Sequence, residues 1–295
     1  MRRSPRRDTS LLLAAPAILV ITAFMLIPMG IAGVYSLLTA DPYGGVTHPF
    51  TPAAYLRFVY DRDLDDALVF DPTYMWIFLR SLVQATLATL VCLVIALPLA
   101  WFIATRGPRM RMILVLLVTI PFWTNLLIRI YCWVLLLRDN GLVNDLMLRI
   151  GLTDRPIPFL YSDSAILMGL VYSNLPFMTL PIYGALEKVD PRLVEAAYDL
   201  YASRAAIMRL LVWPMARPGI AAGTALVFVP ALGAFLAPVL LGGGRKLMIG
   251  SLIQQQFTTA RNWPFGAALS MLLMACVLVT MMFGAWRRAA RGIAL

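Results

Sequence analysis

The chain has 295 residues, 61% of them hydrophobic, with a mean hydropathy of +0.80 and a net charge of +10. That is too apolar for one soluble domain, which excludes an ordinary water-soluble enzyme and marks a polytopic membrane protein. Its basic residues gather at the ends of apolar runs, so the positive balance reads as orientation signal rather than as a nucleic-acid surface.

A helix crosses the roughly 30 Å bilayer core with about 20 apolar residues. Charge-poor runs predict six such spans, at about 11–38, 75–105, 111–137, 163–187, 215–241 and 263–287. They must be helices, because lipid offers no water to backbone groups. The whole chain, 1–295, reads as one all-α integral membrane domain.

The first span follows a basic start, Arg2, Arg3, Arg6 and Arg7, and its apolar run is too long for a signal peptide. Asp41–Arg80 follows as an outer loop with one short helix and the acidic run Asp61, Asp63, Asp65, Asp66 and Asp71. That run attracts polycations, docks a partner or is simply solvated. The basic turn Arg106–Arg111 joins the second and third spans on the inner side. A second outer loop, Arg138–Asp163, contains the turn signal Asp139-Asn140-Gly141 and the breaker Arg155-Pro156-Ile157-Pro158. A third, Gly242–Pro264, holds the amphipathic piece Leu247–Phe257. With Arg204, Arg209, Arg217, Arg287, Arg288 and Arg291 on the inner side, the positive-inside rule predicts both termini in the cytoplasm.

Prolines 16, 28, 98, 121, 176, 181, 230 and 238 lie in the spans, and each is expected to kink its helix. Their clustering in the third to fifth spans fits a translocation pathway, although proline is also commoner in membrane helices generally. Cys92, Cys132 and Cys276 lie in or beside spans, and no Cys/His cluster suggests a metal site. The only histidine, His48, lies in a loop, and no paired carboxylates occur in a span, which argues against an intramembrane enzyme. A secondary transporter needs ion-coupling residues within spans and an inverted repeat, and neither is present.

The polar segment 189–214 stands out between two spans. Asp190-Pro191 signals a helix start. Leu193, Val194, Ala197, Leu200 and Tyr201 then recur at helical spacing as an apolar stripe. Ala196 and Ala197 permit close backbone approach, and Glu195 and Asp199 add a negative edge. Such a helix docks into the groove of a soluble partner, or lies on lipid headgroups with Arg204 and Arg209.

Glu195–Pro214, EAAYDLYASRAAIMRLLVWP, resembles the cytoplasmic coupling loop of ABC importer permeases: Glu-Ala-Ala, three residues, Gly, nine residues, Ile, one residue, Leu-Pro. Glu195, Ala196, Ala197, Leu211 and Pro214 fall on that pattern, while Tyr201 stands for Gly and Trp213 for Leu. Either the turn at Tyr201 is compatible with right-handed backbone, or its ring fills part of the partner's groove. PFWTNLLIRIY at Pro121–Tyr131, LVYSNLPFMTLPIYGALEKVD at Leu170–Asp190 and RNWPFGAA at Arg261–Ala268 make the resemblance more specific. Together they look like the polyamine permeases of spermidine/putrescine importers, the PotB/PotH type.

The resemblance implies six transmembrane helices of the type I (MetI-like) ABC importer fold in a bacterial inner membrane. It implies a related second permease subunit, two copies of an ABC ATPase that bind ATP and Mg, a periplasmic substrate-binding protein and a polyamine substrate. No cofactor is expected in this chain itself. It has no GxxxxGK[ST] phosphate loop, and Gly242-Gly243-Gly244-Arg245-Lys246 lacks the spacing. Another permease of the same fold, for an opine, an amino compound or iron(III), is the alternative.

A polyamine pathway needs aromatic faces and oxygens. Trp123, Tyr131, Trp133, Tyr172 and Tyr183 supply faces, Asn125 and Asn174 supply amide oxygens, and Asp139 supplies a carboxylate at the outer end of the third span. Tyr131 and Trp133 also suit interfacial anchors. Where some relatives carry Glu in the fifth span, this chain has Ala234, so the second permease is expected to supply acids. Arg129 is expected near the outer interface, with its head snorkelling to water.

Overall fold

The computed structural model describes residues 6–41, 43–62 and 68–290. Arg2, Arg3 and Arg291 lie outside the described residues, as do Asp63, Asp65 and Asp66 of the acidic run.

Helix α1 spans Arg6–Tyr35. After it come β1 (Leu38–Ala40), β2 (Val46–Phe50), the single turn α2 (Ala53–Leu56), β3 (Tyr60–Arg62) and β4 (Leu68–Phe70). Helix α3 is Thr73–Ala104; α4, Pro108–Thr119, runs into a 3-10 turn at Ile120–Trp123. Then follow α5 (Leu126–Leu137), α6 (Leu142–Arg149), α7 (Asp163–Leu186), α8 (Pro191–Asp199) and α9 (Arg204–Ile207). A π-helical stretch, Met208–Val212, leads into α10 (Trp213–Leu232), followed by α11 (Leu236–Leu241), α12 (Ile249–Thr258) and α13 (Trp263–Ala290).

Among the described residues, five helices are long and apolar enough to cross a membrane: Ala15–Tyr35, Thr73–Ala104, Asp163–Leu186, Arg204–Leu232 and Trp263–Gly284. The sixth candidate is broken, because Pro108–Trp123 and Leu126–Arg149 meet at 89°. Pro121 has no N–H to continue the ladder. Thr124 Oγ1 donates to the Pro121 carbonyl at 2.8 Å, and Asn125 Oδ1 starts the next helix by accepting the Leu127 N–H at 2.8 Å.

Most prolines do not break their helices. Pro16, Pro28, Pro98, Pro176 and Pro181 all sit inside continuous ones. The fifth span begins earlier than its apolar run, at Arg204, and ends at Leu232. The π-helical stretch just before Pro214 spaces the backbone where the next ring lacks an N–H.

The chain forms two compact units. In the first, residues 1–74 with 253–295, α1 packs on α13. Tyr35 stacks on Trp263 with centroids 6.3 Å apart, Tyr74 meets Phe265 edge-on at 4.9 Å, and the Ser36 and Tyr55 hydroxyls share a 2.8 Å hydrogen bond. The segment expected as loop with one short helix also contains two antiparallel ribbons, β1–β2 and β3–β4. Gly44 and Gly45, both at φ +103°, let the first ribbon turn. Asp71 accepts the Thr73 hydroxyl at 2.6 Å and its N–H at 2.9 Å, which holds the carboxyl below its ordinary value of 3.8.

In the second unit, residues 75–252, the main pairing is α7 with α10. Gly219 and Gly223 form a small-residue stripe on α10 that brings the backbones together. A Cβ on Gly219 would stand 2.7 Å from Ile182 Cα, and closer still to the Pro181 carbonyl oxygen. Cys92, Ala96 and Ala100 of α3 join Met178, Ile182, Val227 and Ala216 in this core.

Candidate functional site

The 189–214 segment is a short arm tied to the second unit's core. Asp190 Oδ1 accepts the Arg192 N–H at 3.0 Å, capping α8. Val189, Ala197 and Ala202 pack against the core cluster that includes Leu186, Ile207 and Val212. The apolar stripe therefore divides instead of forming one docking face. Ala197 turns to its own chain, whereas Leu193, Leu200 and Tyr201 remain 46, 81 and 97% exposed. The cause is local: α8 ends at Asp199, so Leu200 and Tyr201 leave the helical stripe as the backbone turns. Glu195, Ala196 and Asp199 are exposed beside them.

The turn keeps the geometry of a glycine. Tyr201 has φ +56°, which removes the right-handed turn from the two alternatives. Its N–H donates to the Tyr198 carbonyl at 2.9 Å, and the Ala202 N–H to the Ala197 carbonyl at 3.0 Å. Those two bonds define a Schellman cap, whose left-handed position is normally Gly. Left-handed backbone costs an L residue roughly 1–2 kcal/mol. Beyond the turn, Ser203 Oγ accepts the Ala206 N–H at 3.2 Å and caps α9. Pro214 is half-buried and, with Met208, Arg209, Leu210, Trp213 and Arg217, lines an open cavity of about 660 Å³.

The broken third span presents Trp123, 82% exposed, at the end of the 3-10 turn, with Asn125 and Tyr131 exposed just beyond. The Asn125 oxygen already serves as the α5 cap. Phe122 packs edge-on against Phe177 at 5.2 Å, and Trp133 against Tyr172 at 5.7 Å, so aromatic pairs tie both sides of the break to α7. Asp139 is exposed past the end of α5. Asn174 stands apart: it is buried, and its amide donates to the Leu170 carbonyl at 2.8 Å.

Arg129 does not snorkel. It is 9% exposed, and its Nε and Nη1 have no hydrogen-bond partner. The bend explains this, because α5 packs against α7 and α11, where Nε and Nη1 are covered by protein.

Two charge clusters escaped sequence reasoning. At the start of α7, the Asp163 carboxylate accepts Arg80 Nε at 3.0 Å and pairs with Arg80 Nη2 through the same oxygen. Gln84 Nε2 donates to that oxygen at 3.2 Å, and Lys246 Nζ lies 3.4 Å from the other. At the opposite end of α7, Arg111 donates to Glu187 Oε1 at 3.2 Å and to the Ala104 carbonyl at 2.9 Å. The available signal was that each charge abuts the end of an apolar run. The partners lie far apart along the chain, so no local spacing reveals them. Among the described residues, no group of three or more potential metal ligands occurs.

The family described as "Binding-protein-dependent transport system inner membrane component" matches residues 77–292. The spermidine/putrescine transport system permease protein PotB of Escherichia coli is 43% identical over 235 residues, covering 80% of this chain and 85% of that one. Its counterpart in Haemophilus influenzae is 39% identical over 258 residues, covering 86% of each. Among solved structures, a chain of a bacterial alginate ABC transporter in complex with an alginate pentasaccharide-bound periplasmic protein superposes with a TM-score of 0.70 at 19% identity. The match covers 98% of this chain and 96% of that chain. At that identity the likeness is one of fold, the fold of an ABC importer permease.

Proposed function

We propose, from the premise that the chain belongs to the family of binding-protein-dependent transport system inner membrane components, that it is the permease subunit of an ATP-driven polyamine importer. The observation that carries the substrate class is 43% identity, over most of its length, to a spermidine/putrescine permease. The chain forms half of a translocation path, and a second permease forms the other half. Two copies of an ATPase subunit bind ATP and Mg on the cytoplasmic side, where both termini lie, and a periplasmic protein delivers the polyamine.

The residues divide that work as follows. Glu195, Ala196 and Asp199 are exposed on α8, where a soluble ATPase can grip them, while Ala197 fastens the arm to the transmembrane core. ATP-driven closure of the ATPase pair pulls the arm, and the arm moves α7 and α10, between which it is strung. The cavity between the two permeases then opens outward. Trp123 and Tyr131 offer exposed faces to ammonium groups, and Asn125 lies beside them. Asp163 is already held by Arg80 and Lys246, so it does not recognise a polycation. Asp139, exposed past the end of α5, is an acid this chain offers, and the second permease supplies others. The membrane potential favours a divalent diamine by about 4.6 kcal/mol per 100 mV, so ATP chiefly controls gating and direction.

The test is reconstitution of the complete assembly in proteoliposomes with a panel of loaded binding proteins. Binding protein loaded with putrescine or spermidine should stimulate ATP hydrolysis and uptake. Stimulation only by opine-loaded or iron(III)-loaded proteins would assign another substrate to the same fold.

A further inference from the structure

The turn that closes α8 carries an unexplained cost. Its two hydrogen bonds and its φ of +56° are those of a glycine cap, yet the residue is Tyr201. Strained side-chain positions persist where something else compensates for them. Among the described residues nothing does so, because Tyr201 is 97% exposed. Leu200 beside it is 81% exposed, so the two form an apolar tip. The tip is held in place, since Ala197 and Ala202 on either side of it are packed against the core. Its surroundings carry both signs: Arg192, Glu195 and Asp199 are exposed on α8, and Arg204 is exposed just past the turn. A pre-organised aromatic anchor ringed by charges of both signs fits an apolar pocket with a polar rim on a protein partner. An anionic lipid surface gains no attraction from α8 itself, where Glu195 and Asp199 outweigh Arg192.

We propose that Tyr201, together with Leu200, selects the ATPase that this permease uses, by filling a pocket in that subunit which a glycine would leave empty. This rests on the coupling role proposed above. The selection runs in both directions. An ATPase whose surface closes over a glycine collides with the phenol, and an ATPase with the deeper pocket loses contact with any permease that has glycine at the turn.

The experiment uses the full-length permease in nanodiscs. The probe is the ATPase with a GxxxxGK[ST] phosphate loop that co-purifies with wild type from its native membrane, purified and titrated back. Tyr201→Gly should raise the Tm of the permease, because the strain is removed, and weaken ATPase binding about tenfold or more. Tyr201→Ala, which retains the strain, should weaken binding similarly without raising Tm. Tyr201→Phe should bind within about threefold of wild type, because the ring dominates. ATPase affinity of Tyr201→Gly within twofold of wild type overturns the selector role and leaves the coupling reading standing. If wild type holds no phosphate-loop ATPase, the coupling reading fails and the selector role falls with it. If Tyr201 is shielded from an aqueous fluorescence quencher by anionic nanodiscs without ATPase, the tip is a membrane anchor and the proposal is wrong.

Discussion

Gly219→Ala should separate α7 from α10, and its size follows from the contact. The added methyl would lie 2.7 Å from Ile182 Cα, against about 3.5–4.0 Å for a relaxed carbon pair. One backbone must retreat by about 1 Å. Both atoms belong to buried helix, so no side-chain rotation relieves the clash, and the cost falls at the upper end of about 1–3 kcal/mol for overpacking. Alanine returns about 1 kcal/mol of helix propensity. The net loss is about 2 kcal/mol, or roughly 30-fold in the local opening equilibrium. Gly223→Ala meets the flexible Met178 sulfur at 2.8 Å but the Met178 backbone only at 3.2 Å, and should cost less. Gly184→Ala has nothing within 4 Å and should be neutral or slightly stabilising. The probe is alkylation of Cys92, which is fully buried in this core, in a background carrying Cys132→Ser and Cys276→Ser. The labelling rate should rank Gly219→Ala, then Gly223→Ala, then Gly184→Ala. Equal rates for the first and last would refute the claim that backbone proximity sets this interface.

Glu195→Ala should leave membrane insertion intact but lower transport and substrate-stimulated ATP hydrolysis together; normal uptake at normal expression would remove Glu195 from the coupling role. Trp123→Ala should raise the half-saturating polyamine concentration about 2- to 30-fold, the range of one cation–π contact of about 0.5–2 kcal/mol; an unchanged substrate dependence would assign Trp123 to packing. Arg129→Met should raise the Tm of the isolated permease, because it replaces two buried guanidinium nitrogens that lack partners with an apolar chain of similar length. A lower Tm would show that the charge is compensated.

How much was legible in advance depended on how far apart the interacting residues lie. The α8 start was readable because its cap is local: Asp190 and Pro191 signal a helix start within two residues. The break in the third span was readable only as a tendency. Pro121 resembles Pro98 and Pro181, which sit in unbroken helices, and what distinguishes it is Thr124 and Asn125 ready to satisfy the freed groups. The β-ribbons were hidden because strands this short depend on pairing, not on an apolar pattern long enough to detect. The Asp163 cluster was hidden for a different reason. Its members come from α3, the start of α7 and the loop after α11, and only the α3–α7 arrangement joins Arg80 to a residue 83 positions away.

The arm shows why the same pattern can be right in placement and wrong in face. Helical spacing put Ala197, Leu200 and Tyr201 on one stripe, and that holds only while the helix continues. Once α8 stops at Asp199, a left-handed residue redirects the chain, and residues meant to share a surface part company. Ala197 then anchors the arm, while Tyr201 faces away from its own fold. Transmitting force requires both: an arm that only docked outward would swing freely, and one that only packed inward would have nothing to grip. The Arg111–Glu187 pair extends the same logic. It ties the end of α7, immediately before the arm, to the start of α4 and, through the Ala104 carbonyl, to the end of α3. Under the coupling role proposed above, a pull on α8 would reach three helices rather than the flexible end of one.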